Sequence, residues 1–226
     1  MDYQSIINEI AQEVAPFLKD GKVADYIPAL ASVNPEQFAM SITMFDGTEY
    51  HAGDSETLFS IQSISKVFTF TLALKFYGKA LYKRVGHEPS GNPFNSLVQL
   101  EYEQGKPRNA FINAGAINVT DALVNYYGST ETASQEILKF IRSIAEDDTV
   151  KSNQSVAASE MQYGHRNMAL ANLMKSFNNL DNEVKDVVKV YFKHCSIEMN
   201  TNMLSRSMLY LANHGVDPIT EKTYIS

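Results

Sequence analysis

The chain has 226 residues, of which 44% are hydrophobic and 20% charged, a composition typical of a globular protein that buries a core. Its formal net charge of -7 argues against nucleic acid and against an anionic membrane surface as partners, because both attract basic proteins. The N-terminus has no signal-peptide pattern, and no apolar stretch is long enough to span a bilayer. Cys195 is the single cysteine, which excludes an intramolecular disulfide and leads us to expect a cytoplasmic protein.

The chain begins with one predicted helix and one predicted hairpin. Helical spacing of apolar residues covers 4–19, and the Asp46-Gly47 pair predicts a turn within a β-hairpin over 38–52. The polar stretch 86–109 is long for a structureless loop, which is typical of a functional segment. From about residue 60 the pattern is mostly helical, with helices predicted at 116–127, 133–146, 165–175, 183–194 and 200–213.

Ser63 and Lys66 form the sharpest local motif of the sequence. At a spacing of three residues on a helix, both side chains lie on one face. A serine needs a base to become a nucleophile, and a buried lysine with a lowered pKa can supply it. Ser63 is also expected to open a helix, where the backbone N–H groups favour developing negative charge.

The motif also has an ordinary structural interpretation. A Ser-x-x-Lys match arises by chance in a chain of this composition, and an N-cap serine followed by a solvated lysine would explain it. The surroundings of Lys66 favour burial instead, since its neighbours are Ile61, Ile64, Val67 and Phe68.

Several further segments occur in the order found in one enzyme family. The segment around Ser63 resembles the nucleophile segment of the serine-dependent glutaminases, and the likeness extends from about residue 20 to the end. The other matching segments are 21–28, 53–54, 88–91 with 94–95, 113–117, 159–160 with 166–167, 191–192 with 195–198, and 218–220.

The resemblance implies a role for each matching residue. Ser63 would be the acylated nucleophile, Lys66 its general base, and Tyr26 a tyrosine beside the nucleophile. Glu160 would bind the α-ammonium of glutamine, and amide or hydroxyl donors would bind its α-carboxylate. Those substrate-binding donors would be Asn113, Asn167 and Tyr191, with Gln62 as a further candidate.

Each of these residues also has a structural alternative. Asn113 could be a helix cap, and Glu160 and Asn167 could lie on helix surfaces. Tyr191 and Cys195 could be core residues, Cys195 as a small hydrophobe. The five histidines show no ligand spacing, so we predict neither a metal nor a cofactor.

The chain lacks a part that members of the resembled family possess. That part would carry further strands, a second active-site tyrosine and a backbone N–H of the oxyanion hole. We therefore expect an α/β, β-lactamase-like fold with an incomplete antiparallel sheet. The domain prediction is a single glutaminase domain over 1–226, with a helical lobe over about 60–213 and the hairpin at 38–52.

Three functions compete at this point. The first is hydrolysis of L-glutamine to L-glutamate and ammonia through an acyl-serine, by a homo-oligomer that is a dimer or tetramer. The second is another Ser-x-x-Lys acyl-serine hydrolase, and the third is an inactive glutaminase-like fragment that only binds ligand or partner subunits. Release of ammonia from glutamine, compared with turnover of a β-lactam, would separate the two enzymes.

Overall fold

The computed structural model describes residues 1–226 and contains eleven α-helices and five short strands. The helices are α1 (Tyr3–Val14), α2 (Pro28–Ala31), α3 (Ser65–Tyr77), α4 (Leu97–Tyr102), α5 (Asn113–Tyr127), α6 (Thr130–Ala145), α7 (Gln154–Tyr163), α8 (His165–Ser176), α9 (Val184–Cys195), α10 (Thr201–Ser207) and α11 (Leu209–Ala212). The strands are β1 (Ala39–Thr43), β2 (Glu49–Gly53), β3 (Phe59–Ser60), β4 (Lys151–Ser152) and β5 (Ile197–Met199). No helix is long and apolar enough to cross a membrane.

The chain divides into two compact units. The first unit comprises residues 1–60, 141–151 and 198–226, and the second comprises 61–140 and 152–197. Each unit is therefore assembled from separate stretches of sequence.

The predicted hairpin lies in the first unit. β1 and β2 pair in antiparallel register from Ala39 opposite Gly53 to Thr43 opposite Glu49. α1 packs against β2 and α10 against β1, so helices cover this two-stranded sheet. The sequence missed a second sheet, of order β3-β5-β4, because its strands have only two or three residues and show no alternation.

The second unit is helical, and its core contains no strand. Helices α4, α5, α8 and α9 share one cluster of buried residues, which includes Ile117, Leu170, Val187 and Tyr191. α5 is the central element of this unit, since all its residues from Asn113 to Val124 are buried. The predicted α/β class, with antiparallel strands and a mostly helical part, is confirmed.

A buried carboxylate fixes the segment that precedes α9. Asp121 of α5 is fully buried and pairs with the guanidinium of Arg84. It also accepts the backbone N–H groups of Asp181 at 2.9 Å and Asn182 at 3.0 Å. The start of α9 is thereby tied to the middle of α5.

The predicted helices differ from the observed ones mainly at their ends. The first helix stops at Val14, where Pro16 lies in a short 3-10 turn, rather than at residue 19. The last predicted helix is broken at Met208 into α10 and α11. The stretch 86–109 contains the short helix α4, and α7 was not predicted at all.

Candidate active site

The segment around Ser63 is a strained turn rather than the start of an α-helix. A single 3-10 turn, Gln62–Ile64, precedes α3, which begins at Ser65. Gln62 has a φ of +45°, in the left-handed region that non-glycine residues rarely adopt. Ser63 follows it directly and is exposed. The expectation that Ser63 opens the helix is therefore wrong by two residues, although Ser63 still lies just before the helix N-terminus.

Backbone hydrogen bonds hold both sides of this turn. The N–H of Ile61 donates to the carbonyl of Ile197 at 2.8 Å, and the N–H of Ile64 donates to the carbonyl of Ile61 at 2.9 Å. The N–H of Ser65 is shared between the carbonyls of Gln62 and Ser63. An uncommon backbone conformation of this kind persists only where the surroundings determine it.

Lys66 is buried and has specific partners. Its residue exposure is 3%, and its Nζ donates to Asn113 Oδ1 at 2.7 Å and to the carbonyl of Phe111 at 3.0 Å. The Nζ also lies 5.9 Å from the ring centroid of Phe94. Burial lowers the pKa of Lys66 below its ordinary value, against an opposing contribution from Cys195. The alternative of a solvated lysine is excluded.

Asn113 connects Lys66 to Asn167. Its Oδ1 accepts a hydrogen bond from Lys66 Nζ, and its Nδ2 donates one to Asn167 Oδ1 at 2.9 Å. Asn113 is the first residue of α5, and Asn167 lies in the first turn of α8. The structure therefore joins three of the predicted site residues in one chain of hydrogen bonds.

A close backbone approach places the carbonyl that binds Lys66. Asn109 Oδ1 accepts the N–H groups of Phe111 at 3.0 Å and Ile112 at 3.1 Å, which gives the loop before α5 a fixed shape. This loop packs on Gly115, where a Cβ would lie 1.8 Å from the carbonyl oxygen of Asn109. Only glycine allows this contact.

Glu160 and Tyr191 are both buried, each 3% exposed. Glu160 lies on the buried face of α7, which excludes the alternative of a solvent-exposed helix residue. Tyr191 is part of the apolar cluster and hydrogen-bonds Cys195. Burial and the negative charge of Glu160 raise the pKa of the Cys195 thiol to about 12, which keeps it protonated at neutral pH.

Gly164 joins the two helices that carry Glu160 and Asn167. It is the residue between α7 and α8, and a Cβ there would lie 2.3 Å from the ring of Phe192 and 2.4 Å from the carbonyl oxygen of Glu160. The absence of a side chain lets α9 pack at this junction.

Tyr26 belongs to the first compact unit, whereas the other predicted site residues belong to the second. It lies just before α2 and is 60% exposed. Its role beside the nucleophile stays a prediction.

The sequence did not predict a second set of buried polar residues below the turn. Ser65 Oγ lies 2.8 Å from His194 Nδ1 and 2.6 Å from the carbonyl of Gln62. His194 Nε2 lies 3.1 Å from Thr120 Oγ1. Burial, together with the positive charge of Lys66, lowers the pKa of His194 to about 3, so the imidazole is neutral. The available signal was a histidine three residues after Tyr191, on the apolar face of α9.

No group of three or more histidine, cysteine, aspartate or glutamate side chains is arranged to hold a metal ion. The cluster contains an exposed serine, a buried lysine and several buried polar side chains. A serine and a buried amine are the residue types from which a nucleophile and its general base can be built.

Comparisons with known proteins identify a family and a fold. A family model described as Glutaminase matches residues 21–226. The glutaminase of Aliarcobacter butzleri (strain RM4018) is 57% identical over 226 residues, which cover 100% of this chain and 73% of that protein. A solved structure of a probable glutaminase from Bacillus subtilis has a TM-score of 0.89 and 30% identity, covering 99% of this chain and 69% of the other. The structure of Mglu in its tris and glutamate form has a TM-score of 0.84 and 29% identity, covering 95% of this chain and 49% of that chain. These likenesses confirm the predicted β-lactamase-like fold class.

Proposed function

Since this chain belongs to the glutaminase family, the enzymes that hydrolyse L-glutamine to L-glutamate and ammonia, we propose that Ser63 and Lys66 carry this reaction through an acyl-serine. The observation that carries the assignment is the pairing of an exposed serine, in a strained turn, with a buried lysine one turn later. A neutral amine is the form that can accept a proton, and burial favours it at Lys66.

The reaction has two steps. Lys66 accepts the hydroxyl proton of Ser63 as Ser63 Oγ attacks the side-chain amide carbon of glutamine. The C–N bond then breaks as the proton passes from Lys66 to the departing nitrogen. Ammonia is released, and a glutamyl ester remains on Ser63. In the second step Lys66 takes a proton from water, the hydroxide attacks the ester, and the proton returns to Ser63 as glutamate is released.

The polar side chains around Lys66 support the binding of an amino acid. The buried carboxylate of Glu160 is suited to the α-ammonium group, and the amide groups of Asn113 and Asn167 and the hydroxyl of Tyr191 are suited to the α-carboxylate. A relative, Mglu, has been solved in a glutamate form, which supports an amino-acid ligand for this chain. We propose a catalytic role for Tyr26 on the resemblance of residues 21–28 alone.

We extend the proposal to the domain organisation, the oligomeric state and the localisation of the protein. A single glutaminase domain in a cytoplasmic homo-oligomer, a dimer or a tetramer, fits the family resemblance. The acidic net charge and the single cysteine are compatible with it.

The test replaces the proposed nucleophile. Ser63→Ala in the full-length enzyme should reduce ammonia release from glutamine to background while glutamate binding stays measurable by calorimetry. A diazoketone analogue of glutamine should add its mass to the peptide that contains Ser63 in the wild type only. Ser176→Ala is the control, because Ser176 is an exposed serine at the end of α8. Wild-type turnover by Ser63→Ala would refute the assignment.

A further inference from the structure

His194 contacts two of the other helices that carry the proposed site, α3 and α5. It belongs to α9, which also carries Tyr191, and its two ring nitrogens face Ser65 at the start of α3 and Thr120 of α5. The ring of Tyr191 packs edge-on against the imidazole, with centroids 5.2 Å apart at 88°. His194 is 2% exposed, so water does not compete for these contacts.

The polar contacts of this cluster outnumber its protons. Four close contacts run from the carbonyl of Gln62 through Ser65, His194 and Thr120 to the carbonyl of Ala116. A neutral imidazole and two hydroxyl groups supply three protons. One of the four contacts must therefore lack a hydrogen, and since both hydroxyl groups donate to carbonyl oxygens, the tautomer of His194 decides which of its own two contacts that is.

The distances select the tautomer. Both hydroxyl groups donate to a carbonyl oxygen, Ser65 to Gln62 at 2.6 Å and Thr120 to Ala116 at 2.8 Å. If Nε2 carried the imidazole proton, the contact without a hydrogen would be the 2.8 Å contact between His194 Nδ1 and Ser65 Oγ. If Nδ1 carries it, that contact is the 3.1 Å contact between His194 Nε2 and Thr120 Oγ1. Two lone pairs repel more strongly at the shorter distance, so the Nδ1–H tautomer is favoured.

We propose that His194 is a positioning residue for Ser63: its Nδ1–H donates to the Ser65 hydroxyl, which in turn donates to the Gln62 carbonyl and fixes the left-handed turn that presents Ser63. This inference rests on the proposed function of Ser63. His194 touches neither the substrate nor the reacting atoms, and it acts through Ser65 and the backbone of Gln62.

The proposal predicts a difference between two conservative substitutions. An asparagine amide can take the place of Nδ1–H, whereas the longer glutamine amide reaches the position of Nε2. In the full-length enzyme, His194→Gln should lower kcat about 100-fold with little change in KM, because displacement of a reacting group by about 1 Å has that effect. His194→Asn should keep kcat within about tenfold of the wild type, and Ser65→Ala should resemble His194→Gln. His51→Gln, at an exposed position of β2, is the control.

A second measurement needs no variant. Long-range ¹H–¹⁵N NMR of the ¹⁵N-histidine-labelled protein distinguishes the two tautomers, and it should show His194 neutral with the proton on Nδ1. An Nε2–H tautomer, or equal kcat values for His194→Asn and His194→Gln, would overturn the proposal. Full activity of Ser63→Ala would instead refute the proposed nucleophile, and the NMR result would not change.

Discussion

The substitution Gly115→Ala tests whether the loop before α5 controls Lys66. The added Cβ would lie 1.8 Å from the carbonyl oxygen of Asn109, so that oxygen must retreat by about 1.2 Å to reach the 3.0 Å below which such contacts essentially do not occur. Asn109 Oδ1 accepts the N–H of Phe111, and the carbonyl of Phe111 accepts a hydrogen bond from Lys66 Nζ at 3.0 Å. The shift therefore reaches the proposed base.

We expect two effects of different origin. Misplacing the base by about 1 Å should lower kcat about 100-fold. Overpacking at the start of α5 should lower the free energy of unfolding by about 1–3 kcal/mol. Ammonia release gives the first quantity and denaturant titration the second. Gly21→Ala is the control, because nothing lies within 4 Å of its Cβ position and its backbone is not left-handed. A Gly115→Ala enzyme that loses stability but keeps wild-type kcat would show that the loop does not position Lys66.

Four other predictions concern Lys66, Glu160 and Asp121. Because the pKa of Lys66 is lowered by burial, activity should rise with pH as the amine loses its proton, and Lys66→Arg should be nearly inactive; a flat pH–rate profile would contradict this. Since the unfolded chain then binds the extra proton, Lys66 should make the free energy of unfolding rise with pH from its lowered pKa up to about pH 9, above which the raised pKa of Cys195 acts in the opposite direction, and Lys66→Met should remove this rise in urea titrations. Glu160→Gln should raise KM for glutamine roughly 10- to 150-fold through loss of a charged hydrogen bond, and N-acetylglutamine should be a poor substrate of the wild type; equal turnover of the two substrates would refute the pairing. Asp121→Asn should lower the free energy of unfolding by about 3 kcal/mol, because the substitution leaves Arg84 without its buried charged partner. An unchanged free energy of unfolding would mean that Asp181 alone satisfies Arg84.

The sequence predicted the elements that have a strong local pattern. The hairpin was found because Asp46-Gly47 separates two short alternating runs, and α9 because its apolar residues recur at helical spacing. α7 was missed because its apolar face consists of small or isolated residues such as Val156 and Ala157. Strands of two residues have no periodicity to detect.

The candidate site residues that are close together in sequence were the easiest to predict. Ser63 and Lys66 are neighbours in sequence, so their spacing suggested a nucleophile and a base, and the family resemblance favoured this interpretation over an N-cap serine and a solvated lysine. Asn113, Glu160 and Asn167 came from the family resemblance, since an isolated polar residue carries no signal of its own. Ser65 and His194 were missed, because they become partners only when α3 and α9 pack together.

The separation of Ser65 from His194 also has a consequence during biosynthesis. The hydrogen bond between them joins residues 129 positions apart. At about 5–20 residues per second, a ribosome needs roughly 6–26 seconds to proceed from the codon of Ser65 to that of His194. Throughout that interval the nascent Gln62 can relax into an ordinary backbone conformation. If His194 fixes the turn as proposed, the turn is set late, after α9 has been made, and a nascent chain interrupted before that point carries Ser63 without this geometry.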